Sequence, residues 1–265
     1  MNDVLEMVFR MKAPIPSTLI SQVQTLLDTP LGKGISIDDR IRYLRLAVRQ
    51  NRPELVRLLA KEPQIGVAGS EADPFPPLLI DAINVGNPDI VRELIKAGVD
   101  IDVRYTDESL ALSLSHYDDV FDASALRGLA LSPVHLALML RKPLSVLRAL
   151  LQAPGIDVNG LPSHAPSPLM IAGLQPNLAA FELLLGMLGI DLAYRDYKGR
   201  SVVEFAADGA HYSGSAACLI RLITDKRFAA EVSVKKGQIW IGGQLFDREH
   251  GGYSDLATRL SELEK

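Results

Sequence analysis

The sequence predicts an all-α repeat solenoid of helix-turn-helix units with β-turn fingers, followed by a small C-terminal β-hairpin. Small alanines recur at intervals of 35, 55, 35 and 34 residues, at Ala47, Ala82, Ala137, Ala172 and Ala206. Aromatic residues make up only 6% of the chain, so aliphatic side chains must supply most of the core. A shared period and an aliphatic core together favour stacked helices over a β-sandwich.

Four segments after these alanines have the apolar i, i+3, i+4 spacing of a helix with one buried face. Three begin with proline and the fourth with Asn177, at residues 53–59, 88–95, 143–151 and 177–185. Proline suits the first helical position because its missing N–H would be unpaired there anyway. Each unit therefore contains a short helix, a turn and a second amphipathic helix.

The composition restricts the class of protein. Hydrophobic residues make up 48% and charged residues 23% of 265 residues, as in ordinary globular proteins. The formal charge of −4 and the pI near 5.8 argue against general affinity for nucleic acid or an anionic membrane, so we expect neither as a partner. The single cysteine, Cys218, has apolar flanks that favour a buried thiol over a reactive one.

The N-terminus, MNDVLEMVFRMK, carries acidic residues within its apolar stretch and is a poor signal peptide. No run approaches 18 apolar residues, which is the minimum for a membrane span. We therefore predict a cytoplasmic protein, although delivery by a specialised secretion system would leave no such mark.

The units share short motifs at their starts and at their ends. Two unit starts are 132–137 (SPVHLA) and 167–172 (SPLMIA), two unit ends are 98–102 (GVDID) and 155–159 (GIDVN), and residues 196–199 read DYKG. With these motifs the units resemble ankyrin repeats, a family whose starts, ends and fingers read T-P-L-H-x-A, G-A-D-V-N and D-x-x-G. The resemblance implies about five repeats.

The resemblance also gives a division of the chain. We predict an N-terminal helical cap at 1–39, about five repeats at 40–225, and a C-terminal hairpin and helix cap at 226–265. End units of a repeat stack need such caps because one of their faces lacks a neighbour. Within the repeats, Ser132 and Ser167 are predicted N-caps, and Gly86 and Gly98 are predicted to end helices with a positive φ.

The 55-residue interval contains an insert at 104–131, which would occupy the finger between two units. The insert interleaves carboxylates with aromatic rings, and its candidate contacts are Tyr105, Asp107, Tyr117, Asp118, Asp119 and Phe121. Such a segment suits a basic or amphipathic partner. The alternative is a solvated loop with one short helix, because long loops cost little free energy.

The C-terminus departs from the repeat. Residues 231–234 and 238–241 alternate about a Lys-Lys-Gly turn, which predicts a β-hairpin, and residues 253–264 have the pattern of a closing helix. We expect Trp240 to anchor the hairpin on the last repeat; binding a ligand is the alternative. The hairpin edge also offers a route to self-association.

The sequence lacks a convincing active site. His135 occupies the histidine position of T-P-L-H, where the resemblance implies a structural hydrogen bond, and His211 is also expected to be structural. No zinc-ligand spacing, phosphate-binding loop or nucleophile elbow is present. We expect no enzyme activity, no metal and no cofactor. Convergence of Asp247, His250 and Tyr253 in a cleft would instead favour an enzyme, or a regulatory subunit, built on the C-terminal segment.

In ankyrin proteins, partners usually contact the finger tips and the exposed positions of the first, inner helices. The resemblance therefore implies finger contacts at Arg195, Tyr197, Lys198 and Arg200, with Tyr197 as the main one. At inner-helix positions, Met139 and Leu174 are apolar where many ankyrins are polar. They are either a hydrophobic contact patch or residues that pack under the insert.

The predicted function is a protein–protein interaction scaffold. Its partner, another protein, would bind the concave finger and inner-helix face and the 104–131 insert, and the chain alone would be monomeric. A specific inhibitor, an immunity-type protein or an effector that blocks its partner remains an alternative within the same class. Because a repeat fold supplies only the framework, the consequence of binding does not follow from it.

Overall fold

The computed structural model describes residues 2–11, 15–29, 35–61, 77–104, 131–160, 165–213, 215–235, 238–241 and 244–246. The chain divides into two compact units. Unit 1 comprises Met1–Tyr105 and Ser145–Ile156, and unit 2 comprises Thr106–Leu144 and Asp157–Lys265. The predicted division into cap, repeats and cap remains a prediction, since these units follow different boundaries.

Most of the described residues are helical. The helices are α1 Asn2–Arg10, α2 Ser17–Leu27, α3 Ile37–Arg49, α4 Pro53–Leu59, α5 Leu78–Val85, α6 Pro88–Lys96, α7 Pro133–Met139, α8 Leu144–Leu151, α9 Pro168–Leu174, α10 Leu178–Leu185, α11 Val202–Ser213 and α12 Ala217–Ile223. A 3₁₀ turn follows at Lys226–Phe228.

Unit 1 consists of helix pairs stacked in two rows. In one row α3 packs beside α5, and in the other α2, α4 and α6 follow one another. The rows are joined by the pairs α3–α4 and α5–α6. The repeat alanines Ala47 and Ala82 are fully buried in α3 and α5, because a methyl side chain lets the helices approach closely.

The N-terminal helix α1 contacts α3, and two side chains from the α3–α4 turn cap its free carbonyls. Arg52 donates from Nη1 to the Val8 carbonyl at 2.9 Å and from Nη2 to the Met11 carbonyl. Gln50 donates from Nε2 to the Phe9 carbonyl at 3.3 Å. The last carbonyls of a helix have no partner within the helix, so these bonds fix α1 to unit 1.

A buried ion pair joins the two inner helices of unit 1. Arg45 on α3 donates from Nη1 to Asp81 on α5 at 2.8 Å, and both side chains are buried. Arg49 bonds the other carboxylate oxygen at 3.2 Å. Two guanidinium groups thus compensate the burial of one carboxylate, which would otherwise be very costly.

Unit 2 repeats the two-row arrangement. The inner row is α7, α9 and α11, the second row contains α10 beside α12, and the pairs α9–α10 and α11–α12 join them. The repeat alanines Ala137, Ala172 and Ala206 are buried at these contacts. The five alanines from which the period was read therefore all occupy packing positions.

The predicted helix signals are confirmed. Ser132 and Ser167 accept hydrogen bonds from the backbone N–H three residues on, at 3.4 and 3.3 Å, and proline follows each of them at the first helical position. Gly86 ends α5 with φ of 81°, and Gly98 has φ of 80°, a left-handed conformation that favours glycine.

The predicted C-terminal hairpin is confirmed and is extended by a third strand. The antiparallel sheet has the order β1 (Val232–Lys235), β2 (Gln238–Ile241), β3 (Gln244–Phe246), with Val232 opposite Ile241. Strand β1 contacts α12. The predicted closing helix at 253–264 lies outside the described residues. The fold class is the predicted one, an all-α repeat solenoid with a small terminal sheet.

In the portion of the chain that the structure describes, no helix is both long and apolar enough to cross a membrane.

Candidate functional site

A short turn in unit 2, which we call the finger (residues 195–200), is held by a network centred on Asp196. The Asp196 N–H donates to the Arg200 carbonyl at 3.1 Å, and the Gly199 N–H donates to the Asp196 carbonyl at 2.8 Å. Oδ1 of Asp196 accepts from the backbone N–H groups of Lys198 and Arg200 at 2.9 and 2.8 Å. Gly199 has φ of +77°, which closes the turn without steric cost.

Arg200 completes this network from its side chain. Its Nε and Nη2 donate to Oδ2 of Asp196 at 3.0 and 2.9 Å, and its guanidinium lies 4.4 Å from the ring centroid of Phe205. Only 16% of its side chain is exposed. Arg200 therefore has a structural role in the finger, because its donors bind a buried carboxylate, and its contact with a partner stays a prediction.

At the tip of the finger, between Asp196 and Gly199, the exposed side chains are those of Tyr197 and Lys198. Tyr197 is 41% exposed, and Nζ of Lys198 lies 5.4 Å from the centroid of its ring, within the range of a cation–π contact. Both residues lie between Asp196 and Gly199, where the hydrogen bonds described above fix the backbone. The turn thus presents an aromatic ring and an ammonium group together on a rigid support.

Part of the guanidinium of Arg195, the first residue of the finger, is already bound to other groups of the chain. Its Nη2 makes an ion pair with Glu231, and its Nη1 donates to the carbonyls of Ala193 and Tyr194, each at 3.1 Å. About two fifths of its side chain, 39%, remains exposed. Arg195 can contact a partner only with the part of its guanidinium that these bonds leave accessible.

The two apolar inner-helix candidates are not presented to solvent. Met139 at the end of α7 and Leu174 at the end of α9 are both buried. A buried side chain contributes to packing, which agrees with the second of the two alternatives given for these residues above, and their contact with a partner stays a prediction. The carboxylates and rings of the 104–131 insert (Tyr105, Asp107, Tyr117, Asp118, Asp119 and Phe121) lie outside the described residues, as do Asp247, His250 and Tyr253.

His135 has the structural role that the sequence predicted. The side chain is fully buried in α7; its Nε2 donates to the Pro166 carbonyl at 3.1 Å, and its Nδ1 accepts from the Ser132 hydroxyl at 2.8 Å. A carbonyl can only accept, so the proton lies on Nε2. The ring thereby ties the start of α7 to the residue before the Ser167 cap of α9.

The lone cysteine is also structural. Cys218 is buried in α12 and its thiol lies 3.9 Å from the Gln175 carbonyl. Burial, with a smaller contribution from the Glu182 carboxylate, raises the pKa of the Cys218 thiol to about 12. Since the thiolate is the reactive form, this cysteine is a poor nucleophile, as its apolar flanks predicted. Within the described ranges, no group of three or more His, Cys, Asp or Glu side chains is placed to hold a metal ion.

Asp208 on α11 lies next to the finger network, and its ionisation is perturbed. Burial raises its pKa from 3.8 to about 6, although the Arg200 guanidinium, 3.5 Å from Oδ2, opposes the shift. The nearby Glu204 carboxylate also raises the pKa of Asp208, and His211 lowers it. Because the native state binds this proton more tightly than the unfolded state, the contribution of Asp208 to stability decreases as pH rises from about 4 to 6.

Asp208→Asn should accordingly stabilise the protein at pH 7.5 more than at pH 4. Asparagine keeps an oxygen that can face Arg200 but carries no charge, so the cost of ionising a buried carboxyl disappears. The measurement is the melting temperature of wild type and variant at both pH values. An equal difference at the two pH values, or a less stable variant at pH 7.5, would contradict the raised pKa.

Sequence reasoning missed two residues that organise this region. Asp196 was recognised only as part of D-x-x-G, although its side chain holds the finger. Asn159 links successive turns, since its Nδ2 donates to the Gly189 carbonyl at 2.9 Å and its Oδ1 accepts from Asp191 N–H at 2.8 Å. The terminal Asn of the GIDVN segment was the available signal, because a short amide at a turn is suited to such bonds.

The comparison with protein families agrees with this architecture. The ankyrin repeat family model matches residues 77–106, which contain α5, α6 and the turn after Gly98. The chain contains an ankyrin repeat at these residues. Ankyrin repeats generally mediate protein–protein interactions, and the family typically forms non-enzymatic binding scaffolds. The search of curated proteins gave no match.

The matched repeat lies in unit 1 and comprises α5 and α6. In ankyrin terms, α5 is its inner helix, α6 its outer helix, and Asn87, whose side chain accepts from the Asp89 N–H at 2.9 Å, caps the outer helix. The pairs α9–α10 and α11–α12 in unit 2 have the same order and the same buried alanine. A pair of helices with a buried alanine in its first helix thus recurs beyond the matched residues.

Proposed function

We propose that this ankyrin repeat protein is a scaffold that binds another protein through its finger and inner-helix face, together with the 104–131 insert. The finger at residues 195–200 supplies the central contact, with Tyr197 as the anchor and Lys198 as the charged flank. In ankyrin proteins this face is concave.

The observation that carries the proposal is the rigid presentation of Tyr197. A binding residue on a mobile loop loses conformational freedom when the partner arrives, which weakens binding. Here the carboxylate of Asp196, the residue before Tyr197, already accepts the backbone N–H groups of Lys198 and Arg200, which follow it. Tyrosine also has a large contact area and few rotatable bonds, which is why it is frequent at interaction hot spots.

The chemistry of the finger restricts the complementary surface. The Tyr197 ring needs an apolar recess on the partner, and the Lys198 ammonium needs an acidic group at its edge. Arg195 is partly neutralised by Glu231, and Arg200 by Asp196, so Lys198 supplies most of the positive charge. The insert, with its carboxylates, would meet a basic region of the same partner.

Affinity capture from a lysate of the source organism, quantified by mass spectrometry, tests the proposal. Wild type is compared with Tyr197→Ala, Tyr212→Ala and a deletion of residues 106–129. Tyr212 is a matched control, because it is also a tyrosine of unit 2 with 41% exposure. We expect Tyr197→Ala to reduce the captured partner about tenfold or more, as hot-spot truncations do, and Tyr212→Ala to leave it unchanged.

The deletion separates the contribution of the insert from that of the finger. A partner lost on deletion but kept by Tyr197→Ala would place binding in the insert alone and would contradict the central role of the finger. A partner that survives both changes, or is lost equally with Tyr212→Ala, would contradict the proposed face. Circular dichroism of each variant verifies that the helices remain folded.

A further inference from the structure

A second surface of unit 1 has a different character from the finger. A cavity of about 530 Å³ opens between the C-terminal ends of α4 and α6, the second helices of two consecutive pairs. We call it the basic pocket; it is lined by Arg57, Ala60, Lys61, Glu93, Lys96, Ala97 and Gly98. In ankyrin terms these are outer helices, so the pocket does not belong to the inner-helix face.

The charge in the basic pocket is unbalanced. Among the described residues that line it, Glu93 is the only acidic one, and this side chain is just 13% exposed. Arg57 approaches its Oε1 at 3.4 Å and Lys96 approaches the same atom at 3.1 Å. Both cationic side chains remain mostly exposed, and Lys61 is exposed as well. The pocket therefore has three cations around one largely covered carboxylate.

Helix electrostatics account for only part of this arrangement. A cation in the last turn of a helix is stabilised by the negative end of the helix dipole, which suits Arg57 in α4 and Lys96 in α6. Lys61 lies two residues beyond the end of α4, and Glu93 is an acid in the last turn of α6, where the dipole disfavours it. The excess positive charge is thus larger than helix capping requires.

The floor of the pocket can accept the stem of a side chain. Ala60 and Ala97 line it, and an atom added at the Cα of Gly98 would meet nothing within 4 Å. Small residues and open space leave room for the methylene groups of an aspartate or glutamate, while the cations around them can pair with its carboxylate. Such charge complementarity favours association with a negatively charged segment.

We propose that the basic pocket binds an acidic peptide segment of a partner protein. Arg57 and Lys96 already pair with the Glu93 carboxylate, so carboxylate is the anion that we assign to these cations. The residues involved differ from those of the finger. The pocket is therefore a second docking point, and binding to it can be tested independently of binding to the finger.

The test uses the full chain and a fluorescein-labelled hexaglutamate peptide, with binding followed by fluorescence anisotropy at low and at physiological salt. The site variant is Lys61→Gln with Lys96→Gln. The control variant is Arg10→Gln with Arg148→Gln, which removes two exposed cations of unit 1 outside the pocket and gives the same net charge. Hexaglutamine and a phosphoserine peptide of equal length are the comparison probes.

We expect the site variant to weaken hexaglutamate binding about tenfold and the control to change it less than about twofold, since each partly exposed ion pair contributes modestly. Binding should also weaken as salt rises, and hexaglutamine should not bind. Absence of hexaglutamate binding, or an equal loss in site and control variants, would overturn the proposal. Tighter pocket-dependent binding of the phosphoserine peptide would overturn the choice of carboxylate.

Discussion

Replacing Gly209 with alanine is expected to destabilise unit 2 by about 3 kcal/mol, the upper range for overpacking a close helix contact. Gly209 lies inside α11, where α11 packs against α9. A Cβ at this position would lie 2.6 Å from the carbonyl oxygens of both Gly173 and Leu174, and 2.8 Å from the Leu174 carbonyl carbon. These are backbone atoms, so they cannot move aside as a flexible side chain could.

The sign of this effect makes the experiment decisive. Alanine is the better helix former, and helix propensity alone predicts that the substitution in α11 would stabilise the protein by about 1 kcal/mol. Steric conflict with α9 predicts the opposite. Urea denaturation followed by circular dichroism at 222 nm measures the difference, and a variant as stable as wild type would show that α9 and α11 do not approach this closely.

Gly186→Ala provides the matched control. Gly186 ends α10 with an ordinary φ of −86°, is exposed, and would bring its Cβ no closer than 3.3 Å to a neighbouring carbonyl oxygen. The expected change is within about 1 kcal/mol of zero, because removing a glycine at a compatible backbone conformation mainly restricts the unfolded chain. The two substitutions are chemically identical and differ only in what surrounds them.

Ala82→Arg is expected to unfold the inner row of unit 1, with a loss of about 4 kcal/mol or more. Ala82 is fully buried in α5, which packs against α3 and α6. An arginine there needs space that the packing does not provide, and its charge would be buried without a partner in the core. The melting temperature measures the effect, and an unchanged value would contradict the alignment of repeats through the five alanines.

Asn84→Arg is the control for this substitution. Asn84 lies two residues further along α5 and is exposed, so the same side chain can extend into solvent. Surface substitutions usually change the free energy of unfolding by less than about 0.5 kcal/mol. A large effect at both positions would mean that arginine disturbs the helix α5 itself, and the inference about close packing at Ala82 would then fail.

Much of the fold followed from local sequence patterns. The period of the alanines, the apolar i, i+3, i+4 spacing, the Ser-Pro helix starts and the glycines at 86 and 98 all reflect conformational preferences that act within one turn or one helix. Such preferences depend on a few neighbouring residues, so the structures they favour can be predicted without the rest of the chain. The hairpin at 232–241 was predictable for the same reason.

The candidate site was less predictable. Its D-x-x-G segment correctly indicated a turn, and Arg200, which was predicted as a partner contact, is bound to Asp196 and stacked on Phe205. Met139 and Leu174 were predicted as possible contacts and are buried. For Met139 and Leu174 exposure depends on neighbours from other helices, and for Arg200 it depends on Asp196 in the same turn and on Phe205 in α11.

The sequence by itself determined the repeat, its helices and their caps, because these depend on backbone and nearest-neighbour interactions. Only the tertiary structure decided which charges are available. It paired Arg45 with Asp81 and Arg57 with Glu93, in each case across two helices, and left Tyr197 exposed on a fixed turn. Coulomb energies and burial depend on distances between residues remote in sequence, and those distances are fixed only when the helices pack.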